Sequence, residues 1–257
     1  MNTHLIKGAL AAVALALLSS TPARAQVYAN YPDGTILIHQ VNFGGSIIDV
    51  RHVIHGGAKF RIGVGEESYF TSPHTYNVSE SEVEAITNSP RDGTVLQARG
   101  DHAVYVIFGG RKWHIPDAQE LEYYGGVGAI RTVPESTFVS WMYLTRPGTL
   151  VREHNTAAVY VIFGNARFWV PTEADVFYYG GWIEVRDVPA GSMSSMKTKP
   201  DCGTRLRERS SGVIYIFNAA GQKSVIQNPA DYDWANLRVV PDGTLAAYPD
   251  GSFFCMN

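Results

Sequence analysis

Apolar residues in this chain gather in short uninterrupted runs that return at a set distance. Val104 to Phe108 reads Val-Tyr-Val-Ile-Phe, Val159 to Phe163 reads the same five residues, and Val213-Ile214-Tyr215-Ile216-Phe217 is a looser copy. Runs of this length, bounded by Gly and rich in β-branched and aromatic residues, predict strands; the absence of a polar face predicts strands covered on both sides. In the clearest copy Gly148 to Arg152 predicts a first strand, Ala158 to Phe163 a second, and Ala166 to Val170, which alternates, a third. Gly164-Asn165 accepts positive φ and predicts a tight hairpin between the last two. Pro and acids at Pro171-Thr172-Glu173 and glycine at Gly180 predict a short helix with a complemented dipole and a glycine cap. Trp182 to Val188 predicts a last strand, stopped by Pro189.

A strict offset of 55 residues carries Gly93-Thr94 onto Gly148-Thr149, Pro116 onto Pro171, Gly125-Gly126 onto Gly180-Gly181 and Val133-Pro134 onto Val188-Pro189. Self-similarity at such a period marks a propeller or an array. Units fall at about 31–89, 90–144, 145–199 and 200–245, with a partial closing unit at 246–257 that contains Tyr248-Pro249-Asp250-Gly251. A unit of three strands, a short helix and one more strand cannot bury its own faces without neighbours. The expectation is a mainly β fold with short helices, a four-repeat β-propeller-like domain. A ring would have its last blade finished by a strand from the other end; the alternative is a linear β-rich repeat array with capping ends.

Lys7, an apolar run from Gly8 to Leu18 and Ala23-Arg24-Ala25 ahead of Gln26 have the order of a secretory signal peptide over 1–25, and the run is too short to span a bilayer. Its removal leaves 26–257 as a single repeat domain, secreted or periplasmic, with no transmembrane segment. The formal charge of -3 becomes -5 once Lys7 and Arg24 are gone, which argues against nucleic acid as a partner. In an exported chain the two cysteines, Cys202 and Cys255, predict a disulfide.

Gly-Thr-Leu, Val-Tyr-Val-Ile, a Gly turn, Arg or Lys, Ile-Pro or Val-Pro, a short helix ending in Gly, and Val-Val-Pro together resemble the roughly 50-residue repeats of exported bacterial cell-envelope proteins. The resemblance covers Gly34 to Leu245, most fully Asp92 to Pro189. Phe108-Gly109-Gly110-Arg111-Lys112-Trp113 and the four-unit count are also similar to hemopexin-like four-bladed propellers, from which the chain departs by inserting a helix after the third strand and by placing both cysteines late. Neither resemblance transfers catalytic or ligand residues.

No Gly-x-Ser-x-Gly elbow is present. The acidic pairs Glu120/Glu122 and Asp231/Asp233 sit where short helices carry acids. His52 and His55, three apart on a strand, face opposite sides and do not make joint metal ligands; His74, His102, His114 and His154 are scattered, and no metal or cofactor is expected. The Asp-Gly pairs are turn formers. Aromatic and Arg residues at fixed places in the unit, Trp113, Trp169, Tyr124, Tyr179, Arg111 and Arg167, are the candidate ligand-binding set, with core packing as their competing role. The expected function is a non-catalytic binding module for extracellular polysaccharide, cell wall or a protein partner. The alternatives are a secreted hydrolase on a sugar polymer, its site in the irregular Arg61 to Ser89 segment with Glu66, Glu67 and His74, or a purely structural envelope protein.

Overall fold

Left-handed backbone sets the geometry of each unit. At the hairpin Gly164 and Asn165 have φ of 53° and 59°, and Gly109-Gly110 and Gly56-Gly57 repeat the conformation. The computed structural model describes residues 27–138, 144–228 and 236–255; the 1–25 leader and Asp231/Asp233 lie outside them. Four four-stranded sheets follow one another along the chain. The first is built from β1 (Ile36–Phe43), β2 (Ser46–His55), β3 (Ala58–Arg61) and β4 (Thr75–Asn77). The second has β5 (Val95–Ala98), β6 (Val104–Phe108), β7 (Arg111–Ile115) and β8 (Ile130–Val133), and the third β9 (Leu150–Glu153), β10 (Val159–Phe163), β11 (Ala166–Val170) and β12 (Val185–Val188). The fourth has β13 (Arg205–Glu208), β14 (Tyr215–Phe217), β15 (Lys223–Val225) and β16 (Leu237–Val240).

Each sheet has the same order: third strand, second, first, then the fourth lying parallel to the first. A parallel return needs a crossover. In the second and third units it holds a short helix, Ala118–Tyr123 capped by Asp117 and Glu173–Tyr178 capped by Thr172. The last predicted strand is shorter than expected: Trp182–Glu184 forms a 3-10 turn after Gly181, and only Val185–Val188 pairs with β9. In the first unit the crossover is irregular, and a helix, Glu80–Ala85, follows the fourth strand instead.

Burial matches the apolar runs, since Val161, Ile162 and Phe163 of β10 are all buried. Three apolar clusters lie between successive sheets: Ile36, Phe60, Leu96 and Ile107 join the first to the second; Val106, Trp113, Val151 and Ile162 the second to the third; Leu150, Phe168, Leu206 and Phe217 the third to the fourth. The hairpin of one unit is also tied to the start of the next, because the first hairpin glycine accepts a backbone N–H: Arg91 to Gly56 (3.0 Å), Arg146 to Gly109 (2.7 Å) and Asp201 to Gly164 (2.8 Å). A side chain on any of these glycines would collide with Thr94, Thr149 or Thr204.

The succession of sheets is propeller-like, but no ring is closed by strand pairing among the described residues. Every sheet is complete from its own stretch of chain, so no blade borrows a strand from the other end. The partial closing unit lies on the outer edge of β15, where Lys223 bridges Asp250, as Lys197 bridges Ala166 one unit earlier. Cys202 and Cys255 form a disulfide with Cα atoms 5.9 Å apart, which pins that segment to the fourth unit rather than joining first blade to last. Among the described residues no helix is long and apolar enough to cross a membrane.

Candidate functional site

Much of the charged and aromatic chemistry in the sequence is spent on the seams between units. Glu120, buried in the second unit, receives the Nδ1–H of His154 at 3.0 Å and the backbone N–H of Ala190 at 3.1 Å, both from the third unit. The imidazole stacks on Tyr123 with ring centroids 3.8 Å apart. One seam later Arg209 pairs with buried Asp175 at 2.7 Å and lies over Tyr178. One seam earlier Arg99 pairs with Glu66 at 2.8 Å and lies over Tyr69, and Glu66 also accepts the backbone N–H of Glu135. A carboxylate, a basic side chain and a ring thus recur three times, the basic group being Arg at two seams and His154 at the middle one. The signal is in the sequence as an acid followed three and four residues later by two rings: Glu66…Tyr69-Phe70, Glu120…Tyr123-Tyr124 and Asp175…Tyr178-Tyr179. The segment from Arg61 to Ser89 is therefore less irregular than its composition suggests. Desolvation would raise the Glu66 carboxyl, but hydrogen bonds from Arg99 and from the backbone N–H groups of Glu135 and Gly63 hold it below the usual carboxylate range.

His154 stands where the flanking seams carry Arg99 and Arg209. His154→Arg, which supplies the fixed charge found at the flanking seams, is expected to raise stability by about 1 kcal/mol, as read from the denaturant midpoint.

Tyr124 and Tyr179, expected as ligand platforms, are seam residues too. Both are half-buried and donate across the seam, Tyr124 to the Asp187 carbonyl at 3.1 Å and Tyr179 to the Val239 carbonyl at 2.9 Å. Burial pushes both phenols well above their ordinary value, so they act as neutral donors. At the first seam the two roles are exchanged: His55 takes the place of Phe108 and Phe163, Phe70 takes the place of the tyrosine, and His55 hydrogen-bonds the backbone of Thr132. His52 stacks on His39 with centroids 5.4 Å apart. Among the described residues no three His, Cys, Asp or Glu side chains are grouped to hold a metal ion.

Trp113, also expected as a ligand platform, is instead a core residue of the seam. It is 1% exposed, and its Nε1–H donates to the Phe108 carbonyl. The repeat offset places it against Phe168, also buried, while Trp169 corresponds to His114. Alternation along β7 and β11 is the reason: Trp113 and Phe168 point into the seam, and His114 and Trp169 away from it. Arg111 lies over the Trp113 ring, and the residue equivalent to Arg167 is Lys112.

Two of the expected residues do meet. Trp169, 57% exposed, and Arg167 line a groove of about 570 Å³ between the third and fourth units, together with Tyr160, Thr198, Asp242 and Tyr248. Arg167 lies over the Tyr160 ring and donates Nη1–H to the Met193 carbonyl at 2.9 Å. Tyr248 is held by its hydroxyl donating to the Thr198 carbonyl. Asp242 accepts the Ser210 backbone N–H at 2.8 Å, the main cause that keeps its carboxyl below the usual range. One unit back the equivalent groove, about 360 Å³, offers Lys112, His114 and Ala190 in place of Arg167, Trp169 and Asp242. The sequence alone missed Asp242 and Tyr248, which only the following units bring to the groove, and Tyr160, which lies opposite Trp169 in the paired strand β10.

No family model matches the chain, and no curated protein matches it. One solved structure, the periplasmic assembly from the ESX-5 inner membrane complex, is similar to it at 13% sequence identity and a TM-score of 0.19, over 90% of this chain and 39% of that chain. The chain thus spans under half the length of that protein, and a likeness of this size carries no argument about fold or function.

Proposed function

We propose that the chain is an exported, non-catalytic binding module that holds extracellular polysaccharide in the groove between its third and fourth units. The observation that supports this most is Trp169: a large ring left 57% exposed beside a guanidinium, a carboxylate and hydroxyl groups. Aromatic faces stack on the apolar C–H faces of sugar rings, and planar Arg and carboxylate groups bond their hydroxyls. A disulfide fits an oxidising compartment, in line with the leader-like order of residues 1–25. The rival hydrolase is disfavoured by Glu66, whose carboxylate is engaged by Arg99, Gly63 and Glu135.

Cosedimentation of the mature, oxidised protein with purified cell wall and insoluble polysaccharides, with soluble fragments followed in parallel, tests the proposal. Binding without release is expected, and Trp169→Ala is expected to weaken it roughly tenfold to a hundredfold. Release of fragments would move the site to the first unit; a variant that binds as tightly as the native protein would remove Trp169 from it.

A further inference from the structure

We propose that the groove between the third and fourth units selects neutral sugars, and that Asp242 sets this choice by turning away carboxylated ones. The inference rests on the polysaccharide-binding function proposed above and concerns the chemistry of the sugar that this site takes. Three equivalent positions decide it. Arg167 and Lys112 are both cations, Trp169 is replaced by His114, and Asp242 is replaced by Ala190. The groove at the third-to-fourth seam is therefore lined by one fixed positive and one fixed negative charge, while its counterpart one unit back has one fixed positive charge, Lys112, and no acid among its lining residues.

Both charged groups at Trp169 are held in place by the protein. The guanidinium of Arg167 uses one N–H on Met193, and a guanidinium has five to give. The carboxylate of Asp242 is held by the backbone N–H of Ser210, by the Ser210 hydroxyl and by the Arg209 backbone, with the Arg209 charge nearby, and of its roughly four lone-pair sites some acceptor capacity still faces the groove. Hydroxyl groups of a neutral pyranose donate to the one and accept from the other, so both charges are answered. A uronate would satisfy Arg167 but bring a like charge into the same groove as Asp242, a repulsive element of the kind that makes binding selective. Because the groove is open to water, the discrimination shrinks as salt is added.

The test compares the native, disulfide-bonded protein with Asp242→Asn, a substitution that keeps an acceptor for Ser210, in calorimetric titrations at low salt. The probes are neutral glucan, mannan and galactan oligosaccharides and, on the other side, polygalacturonate and alginate oligosaccharides. Native protein is expected to bind a neutral oligosaccharide, and Asp242→Asn to improve uronate binding about tenfold while changing neutral binding little. Native protein that binds uronates as well as neutral sugars, or an Asp242→Asn variant with an unchanged ratio, would overturn the proposal and leave the polysaccharide-binding function standing. Binding to none of the probes would overturn both.

Discussion

Trp113→Ala is expected to lower stability by about 3–5 kcal/mol, which in a chain of this size moves the melting midpoint by about 10 °C. The indole fills the seam between the second and third units against Val106, Val151, Ile162 and Met193. Its removal leaves a large cavity and strands the Phe108 carbonyl that the indole N–H now satisfies. Thermal and chemical denaturation measure the loss directly. Trp169→Ala, by contrast, removes an exposed ring and is expected to leave the midpoint within about a degree or two of the native value. A Trp113→Ala protein with a native midpoint would refute the seam role, and equal losses at the two positions would refute the division between core and groove.

Acidification is expected to weaken the first unit before any other. His52 and His55, each 7% exposed, are pushed down to about 4 from the ordinary imidazole value of 6.5, in both cases chiefly by burial. His52 is lowered further by His39, Lys59 and Arg61, while at His55 the pull of Asp33 is opposed by Arg131. The unfolded chain takes up protons on these two rings as pH falls through the ordinary value, and the folded chain refuses them until about 4. Stability is therefore full above about pH 6.5, falls between there and about pH 4, and loses nothing more from these groups below that; the loss is up to roughly 3 kcal/mol per ring. Urea midpoints at pH 7.0 and 4.5 give the difference. His55→Phe, which restores the residue found at this place in the other units, is expected to flatten the profile; a pH dependence untouched by substitution at both histidines would place the acid sensitivity elsewhere.

Local pattern was legible where a strand is read from its own residues. Ala166–Val170 appears as predicted, and the Gly164-Asn165 hairpin has the positive φ that its residues suggest. The helix after Pro171 lies two residues further in, because Thr172 caps it by accepting the Asp175 backbone N–H. What eluded the sequence depends on the neighbouring unit. Trp113 and Trp169 look alike as aromatic residues in a third strand, and the one-residue difference in register sends them to opposite faces. Glu66 lost its helical context to Gly63 and Gly65, so its kinship with Glu120 and Asp175 shows only once Arg99 is seen to reach it from the next unit. The groove was half legible for the same reason: Arg167 and Trp169 share a strand, whereas Asp242 comes from a turn more than 70 residues on.

The seams join each unit to the one that follows it, and this has a consequence for the order of events when the chain is delivered end first, as through a translocation channel. A fold whose core needs both termini must wait for the last residue. Here the second unit supplies the surface that the first requires, then the third serves the second, so ordered structure can accumulate on the far side while the remainder is still threading through. The last covalent step, oxidation of Cys202 and Cys255, then fastens a segment onto a body already assembled.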